Sequence, residues 1–191
     1  MKSINMDPKL VEQIAEHYRA IIQLIGEDPE REGLKKTPTR AAKALLENTR
    51  GYAEQPAQIL RAAMFEHDGS EMVIVKDIEF YSLCEHHLLP FFGKVSIGYI
   101  PCGKIVGLSK LGRIVDSFSR QFQVQERLTA EICNLLSQEL SGDIIVVCEA
   151  EHMCMKMRGV EKQGATTVTM HYSGEFEQNL ALRSEFLSLI K

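Results

Sequence analysis

The sequence predicts an α+β chain in which an N-terminal helical segment over residues 1–70 precedes a ββααββ unit over 71–191. Three observations carry that prediction. Apolar residues first recur at spacings of three and four, then alternate from about residue 72 onward. Two strand patterns are followed by two amphipathic helix patterns and two more strand patterns, an order that suits an antiparallel sheet with a helix pair on one face. No repeat or low-complexity tract interrupts the layout. A sheet of this kind has open edges, and the expected remedy is closure of a larger barrel with copies of the same chain.

Taken in order, Leu10, Ile14, Tyr18, Ile21, Ile22 and Ile25 predict a helix over about 8–25 that Gly26 ends. Asp28-Pro29 and Thr37-Pro38 each pair a capping residue with proline, so two further helices are expected to start there. The first two strands are MVIVKDIEFYSL and KVSIGYI, with Val95, Ile97 and Tyr99 alternating against Lys94, Ser96 and Gly98, and a hairpin through HHLLPFFG joins them. Leu111, Ile114, Val115 and Phe118 mark one helix; Leu128, Ile132, Leu135, Leu136 and Leu140 mark a second, which Ser141-Gly142-Asp143 breaks. Strands over about 143–153 and 165–173 follow, then a last helix with Leu182, Phe186 and Leu189 on its apolar side.

A chain of 191 residues, 45% apolar and 25% charged, can bury a core without disulfide staples. Its longest apolar run, Ile144 to Cys148, is strand-sized, and the N-terminus lacks an apolar signal core, so a soluble cytoplasmic protein without a membrane span is expected. The net charge of −4 argues against nucleic acid as a partner. It leaves room for a local basic pocket. The five cysteines are an odd number in a chain without an export signal, so each is a buried small hydrophobe or a reactive or metal-binding group.

The densest chemical cluster is Cys84-Glu85-His86-His87, at the end of the first strand. Cys84 and His87 have the spacing that lets a thiolate and an imidazole converge on one metal ion from a tight turn. A second cluster, His152-Met153-Cys154, ends the third strand, where a two-residue period puts His152 and Cys154 on one face. Together they offer two thiolates and up to three imidazoles, a donor set that selects zinc. Three protein ligands leave a position open for catalysis, whereas a fourth, from Cys102, Cys133, Cys148 or His171, would make the metal structural. Cys133 and Cys148 lie within apolar patterns and read as core.

Proton transfer beside such a metal needs a group that titrates near neutrality, and His86 and His152 each neighbour a ligand. Ser109, Lys110 and Arg113 open one helix, and Arg40 and Lys43 lie in the first turns of another. Cations at helix starts oppose the helix dipole, a local cost that points to an anionic ligand. Arg158 adds a cation beside the metal cluster and suits a phosphate. Gln125-Glu126 either caps the next helix or offers a carboxylate to a guanine-like edge.

The stretches DPEREGLKKTPTRAAKA, SLCEHHLLPFFGKVSIGYIP, GLSKLGRIVDSFSR, QVQERLTAEI and HMCMKMRG resemble the GTP cyclohydrolase I family, and the likeness spans about residues 8–191. The resemblance implies a tunnelling-fold catalytic domain over 71–191 and a homodecamer of two stacked pentamers with sites between subunits. It implies Zn2+ held by Cys84, His87 and Cys154, with His86 and His152 moving protons. It further implies GTP as substrate: Ser109, Lys110, Arg113, Arg158, Arg40 and Lys43 would surround its triphosphate and ribose, Arg40 reaching a neighbouring subunit's site. Gln125 and Glu126 would grip the guanine. The reaction it implies is hydrolysis at C8 with loss of formate, an Amadori rearrangement and closure to 7,8-dihydroneopterin 3'-triphosphate, without a redox cofactor. The competing classes are a nitrile-reducing relative, which needs a cysteine nucleophile and no Cys/His/Cys metal set, and a non-enzymatic or structural-zinc member.

Overall fold

A computed structural model describes residues 7–140 and 142–191. The chain forms two compact units, one running through Arg50 and the other from Gly51 to Lys191. In the first unit, α1 (Pro8–Leu24) is capped by the Asp7 carboxylate, which accepts from the Lys9 N–H at 3.0 Å, and it packs against α2 (Thr37–Asn48). Gly26 follows α1 at φ +88°, a conformation that glycine adopts without a Cβ penalty.

The helix expected at Asp28-Pro29 does not form. The Asp28 carboxylate accepts from the Glu30 N–H at 2.9 Å, closing a local turn, and residues 28–36 continue as turns. At Thr37-Pro38 the expected start shifts by one position, with Lys36 as the N-cap and Thr37 already helical. The third helix, α3 (Pro56–Arg61), starts at the next proline instead.

The second unit is built on a five-stranded sheet in the order β5-β2-β3-β6-β7. Strands β2 (Val73–Cys84), β3 (Pro90–Tyr99), β6 (Ile144–His152) and β7 (Thr167–Ser173) are antiparallel neighbours. Helices α4 (Leu108–Ser119) and α5 (Gln125–Leu140) cover one face, α4 over β2 and α5 over β6 and β7. These are the expected ββααββ elements. The mixed sheet with its helix pair agrees with the tunnelling fold. The helix break expected at Ser141-Gly142-Asp143 falls between α5 and β6, with Ser141 itself outside the described residues, as are residues 1–6 of the N-terminus.

Period-2 geometry divides β6 between two cores. Ile144, Val146 and Cys148 join Leu111, Ile114, Leu128, Ile132 and Leu136 beneath the helix pair. Ile145 and Val147 point the other way, onto Phe176 and Phe186. The terminal helices α7 (Glu175–Gln178) and α8 (Leu180–Leu189) supply those rings, so the second sheet face is also partly covered. This is why the run Ile144–Cys148 is apolar without alternation.

Three strand features among the described residues have no counterpart in the sequence pattern. A small antiparallel pair joins β1 (Met64–Glu66) to β4 (Lys104–Val106), and β2 bulges between Val75 and Ile78 with Asp77 at φ 60°. The third is β5 (Phe122–Gln123), which runs parallel to the end of β2 and pairs Leu83 with Phe122 and Cys84 with Gln123. It brings the start of α5 beside the chemically dense turn.

Candidate active site

Cys84 is the last residue of β2 and is buried. The chain reverses over the next five residues, with the Cys84 carbonyl accepting from the Leu88 N–H at 2.8 Å and the Cys84 N–H donating to the Leu89 carbonyl at 2.9 Å. Leu88 takes a left-handed backbone (φ 55°) to complete the reversal. The turn folds the His87 imidazole back, so that Nδ1 lies 3.7 Å from the Cys84 Sγ.

The second sulfur arrives differently from the expectation of a shared strand face. β6 ends at His152, and Met153–Lys156 form a single helical turn, α6, that carries Cys154. A strand-to-helix switch thus replaces the two-residue period in bringing Cys154 to the turn. The ligand atoms of Cys84, His87 and Cys154 all lie within 4.8 Å of one another. That proximity makes the three a group that could hold one metal ion. Burial and the neighbouring Cys84 sulfur raise the Cys154 thiol above its ordinary pKa, while Arg158 opposes them. A divalent cation would relieve that repulsion, and the residues present fit such an ion.

Among the described residues no fourth Cys, His, Asp or Glu joins the group. Burial pushes the thiols of Cys133 and Cys148 up to about 11 and about 12, as expected for core cysteines, and Cys102 is exposed elsewhere. The arrangement is therefore an open three-ligand set, the form that leaves room for substrate or water.

Two histidines flank it. His152 sits opposite Phe91 on β3, and its ring stacks on that phenyl at a centroid distance of 4.7 Å and an interplanar angle of 3°. Its Nε2 lies 2.8 Å from Gln125 Oε1. The Gln125 Nε2 donates to the carbonyls of Cys148 at 2.9 Å and Thr167 at 3.0 Å. With both amide hydrogens engaged, Gln125 offers His152 only its oxygen, so His152 Nε2 carries the proton and Nδ1 is free to accept. Burial lowers the pKa of this imidazole against the opposing charge of Glu126. His86 is exposed on the turn, its Nε2 3.8 Å from Glu85 Oε1.

The site residues expected from the sequence divide by this geometry. Cys84, His87 and Cys154 come together, with His86 on the same turn, Arg158 acting on Cys154, and His152 held by Gln125. Gln125, expected at a guanine edge, is buried with its amide engaged inside the chain, while Glu126 beside it is exposed in the first turn of α5. Ser109, Lys110 and Arg113 occupy the first two turns of α4, and Arg40 and Lys43 lie one turn apart on α2 of the first unit. None of these six hydroxyl or cationic side chains, Arg158 included, makes a hydrogen bond or ion pair among the described residues. The Phe91 platform was not foreseen; its place opposite His152 depends on strand register.

Fold and site together define an α+β enzyme with an open Cys–His–Cys group able to hold a metal. A family model for GTP cyclohydrolase I matches residues 14–191. A GTP cyclohydrolase 1 of Porphyromonas gingivalis is 57% identical over 179 residues, covering 93% of this chain and 92% of that protein. One from Bacteroides fragilis is 54% identical over 182 residues, covering 95% and 93%. One from Drosophila melanogaster is 52% identical over 182 residues, covering 95% of this chain and 56% of that protein. The chain belongs to the GTP cyclohydrolase I family. No helix among the described residues is long and apolar enough to cross a membrane.

Proposed function

We propose that the chain hydrolyses GTP at C8, releases that carbon as formate, and closes the rearranged skeleton to 7,8-dihydroneopterin 3'-triphosphate, the entry to folate or tetrahydrobiopterin synthesis. The observation that carries this reading is the convergence of Cys84, His87 and Cys154 within 4.8 Å in a chain of this family. These three residues would hold zinc, which when bound supplies Lewis acidity for hydrolysis near neutral pH.

The chain's own groups supply the rest. His152 takes up and returns protons at Nδ1, the nitrogen its Gln125 contact leaves free. His86, exposed on the ligand turn, serves the second set of proton transfers. Hydrolysis, ring opening, Amadori rearrangement and ring closure each need protons moved as bonds form and break, which suits two imidazoles and no redox cofactor. Ser109, Lys110, Arg113 and Arg158 bind the triphosphate and ribose, joined by Arg40 and Lys43. Their cationic groups offset the substrate's negative charge in an acidic protein.

Glu126 accepts two N–H bonds from the guanine edge, an edge on which adenine offers a different donor pattern. Gln125 assists by holding His152. Glu126→Ala narrows the preference for GTP over ATP by about 10²-fold or more, measured as the ratio of kcat/KM values. An unchanged ratio contradicts the role.

The assembly proposed is a cytoplasmic homodecamer of two pentamers, its sheets closing a barrel across subunits and Arg40 reaching a neighbour's site. The catalytic domain proposed is 71–191, with residues 1–70 as the segment that precedes it. The exposed edge at β7 supports the closure. Light scattering then returns ten times the 21.6 kDa chain mass, and a monomer contradicts it.

A further inference from the structure

The first turn of α5 carries three consecutive polar residues that point three ways, because successive helical side chains are rotated by about 100°. Gln125 is buried against His152, and Glu126 is exposed. Arg127, the third, faces the turn that carries two of the metal-ligating residues. Its Nη2 donates to Glu85 Oε2 at 2.5 Å and to the Phe122 carbonyl at 2.8 Å, and its Nε donates to Gln123 Oε1 at 2.9 Å. One guanidinium thus spans a carboxylate on the ligand turn and two acceptors on β5.

The segment it bridges is short: besides Arg127 it is held by the Phe122 N–H, which donates to the Tyr52 hydroxyl at 3.0 Å, and by its pairing with β2. β5 is two residues long, pairs with β2 only at Phe122 and Gln123, and adds one bond from the Glu85 N–H to the Gln123 carbonyl at 2.9 Å. The turn itself contains Leu88 in a left-handed conformation that its surroundings must impose. Gln123 is buried and carries the connection onward, donating to the Phe118 carbonyl at 3.2 Å and to Glu131 Oε2 at 2.8 Å. Turn, β5, the end of α4 and the body of α5 are linked through these contacts.

We propose that Arg127 is a positioning residue for the metal centre, clamping the Cys84–His87 turn to α5 so that the ligands keep register with the groups α5 presents to His152 and the substrate. The role rests on reading Cys84, His87 and Cys154 as the metal site. An exposed ion pair alone would contribute little. The function lies in the planar fork that reaches three acceptors at once, which a lysine ammonium cannot reproduce. Residues that orient metal ligands in this indirect way change metal affinity or activity by about 10–100-fold when removed.

The test uses the full-length protein loaded with Zn2+ or Co2+. Affinity is read by competition with a chromophoric chelator, and ligand geometry by the visible absorption of the Co2+ form. Arg127→Ala and Arg127→Lys are expected to weaken Zn2+ binding by about 10–100-fold, alter the Co2+ spectrum, and lower kcat for GTP with KM nearly unchanged. Glu85→Ala removes the clamp from the exposed end of the turn, where no core packing is lost, and is expected to reproduce these effects; it decides the matter if the Arg127 variants do not fold. Wild-type affinity and spectrum in folded Arg127→Ala or in Glu85→Ala overturn the proposal, as does an effect confined to KM. If the unsubstituted protein binds neither Zn2+ nor Co2+, the metal site itself is refuted, an outcome distinct from failure of the clamp.

Discussion

Replacing Cys154 with serine removes bound zinc and GTP turnover together. Cys154 is the one sulfur of the cluster that does not come from the β2 turn, so without it a bound ion would keep only two of the three candidate ligands, both from a single tight turn. A serine hydroxyl is a poor substitute, because it does not ionise near neutral pH and lacks the polarisable sulfur that favours zinc. Metal content by elemental analysis falls from about one ion per chain towards none, and formate release falls to background. The fold persists, since Cys154 is half-buried at the margin of the core and its substitution opens no large cavity. Zinc retained at wild-type stoichiometry would remove Cys154 from the ligand set.

His152→Ala separates chemistry from metal binding. The imidazole lies two residues from Cys154 yet belongs to another network, stacked on Phe91 and bonded to Gln125. Its loss leaves the three ligands in place, so zinc content stays near wild type while kcat falls by about 10²–10⁴-fold, the range for a positioned acid–base group. Circular dichroism and metal analysis on the same sample establish that fold and ion are intact. A normal rate would show that His152 only fills the space between β3 and α5.

What the sequence disclosed and what it hid have the same physical origin. Elements long enough for several periods were legible: α4, α5 and the four long strands each repeat an apolar residue often enough to declare their geometry. The convergence of Cys84 and His87 was legible because both sit on one short turn, where sequence spacing and spatial distance are tied. The route by which Cys154 arrives was not. Met153–Lys156 span four residues, too few to show whether the chain continues as a strand or coils, and the strand reading placed the sulfur correctly for the wrong reason.

Likewise, Asp28-Pro29 matches a helix start in residue type, but the carboxylate closes its own turn on Glu30 instead. Gln125 illustrates the deeper limit. Its amide lies against carbonyls of β6 and β7, at Cys148 and Thr167, contacts that exist only once the sheet and helix have packed. The β5 pairing and the Arg127 fork are tertiary in the same sense, with partners up to 42 residues away in sequence.

The central claim is that this cluster supports metal-dependent opening of GTP. Purified, metal-quantified protein incubated with GTP, with and without a strong chelator, tests it through formate release and the fluorescence of the oxidised pterin. Formate and fluorescence that appear together, vanish with the chelator and return when zinc is restored are the predicted result. One zinc ion per chain with no formate from GTP would contradict the claim.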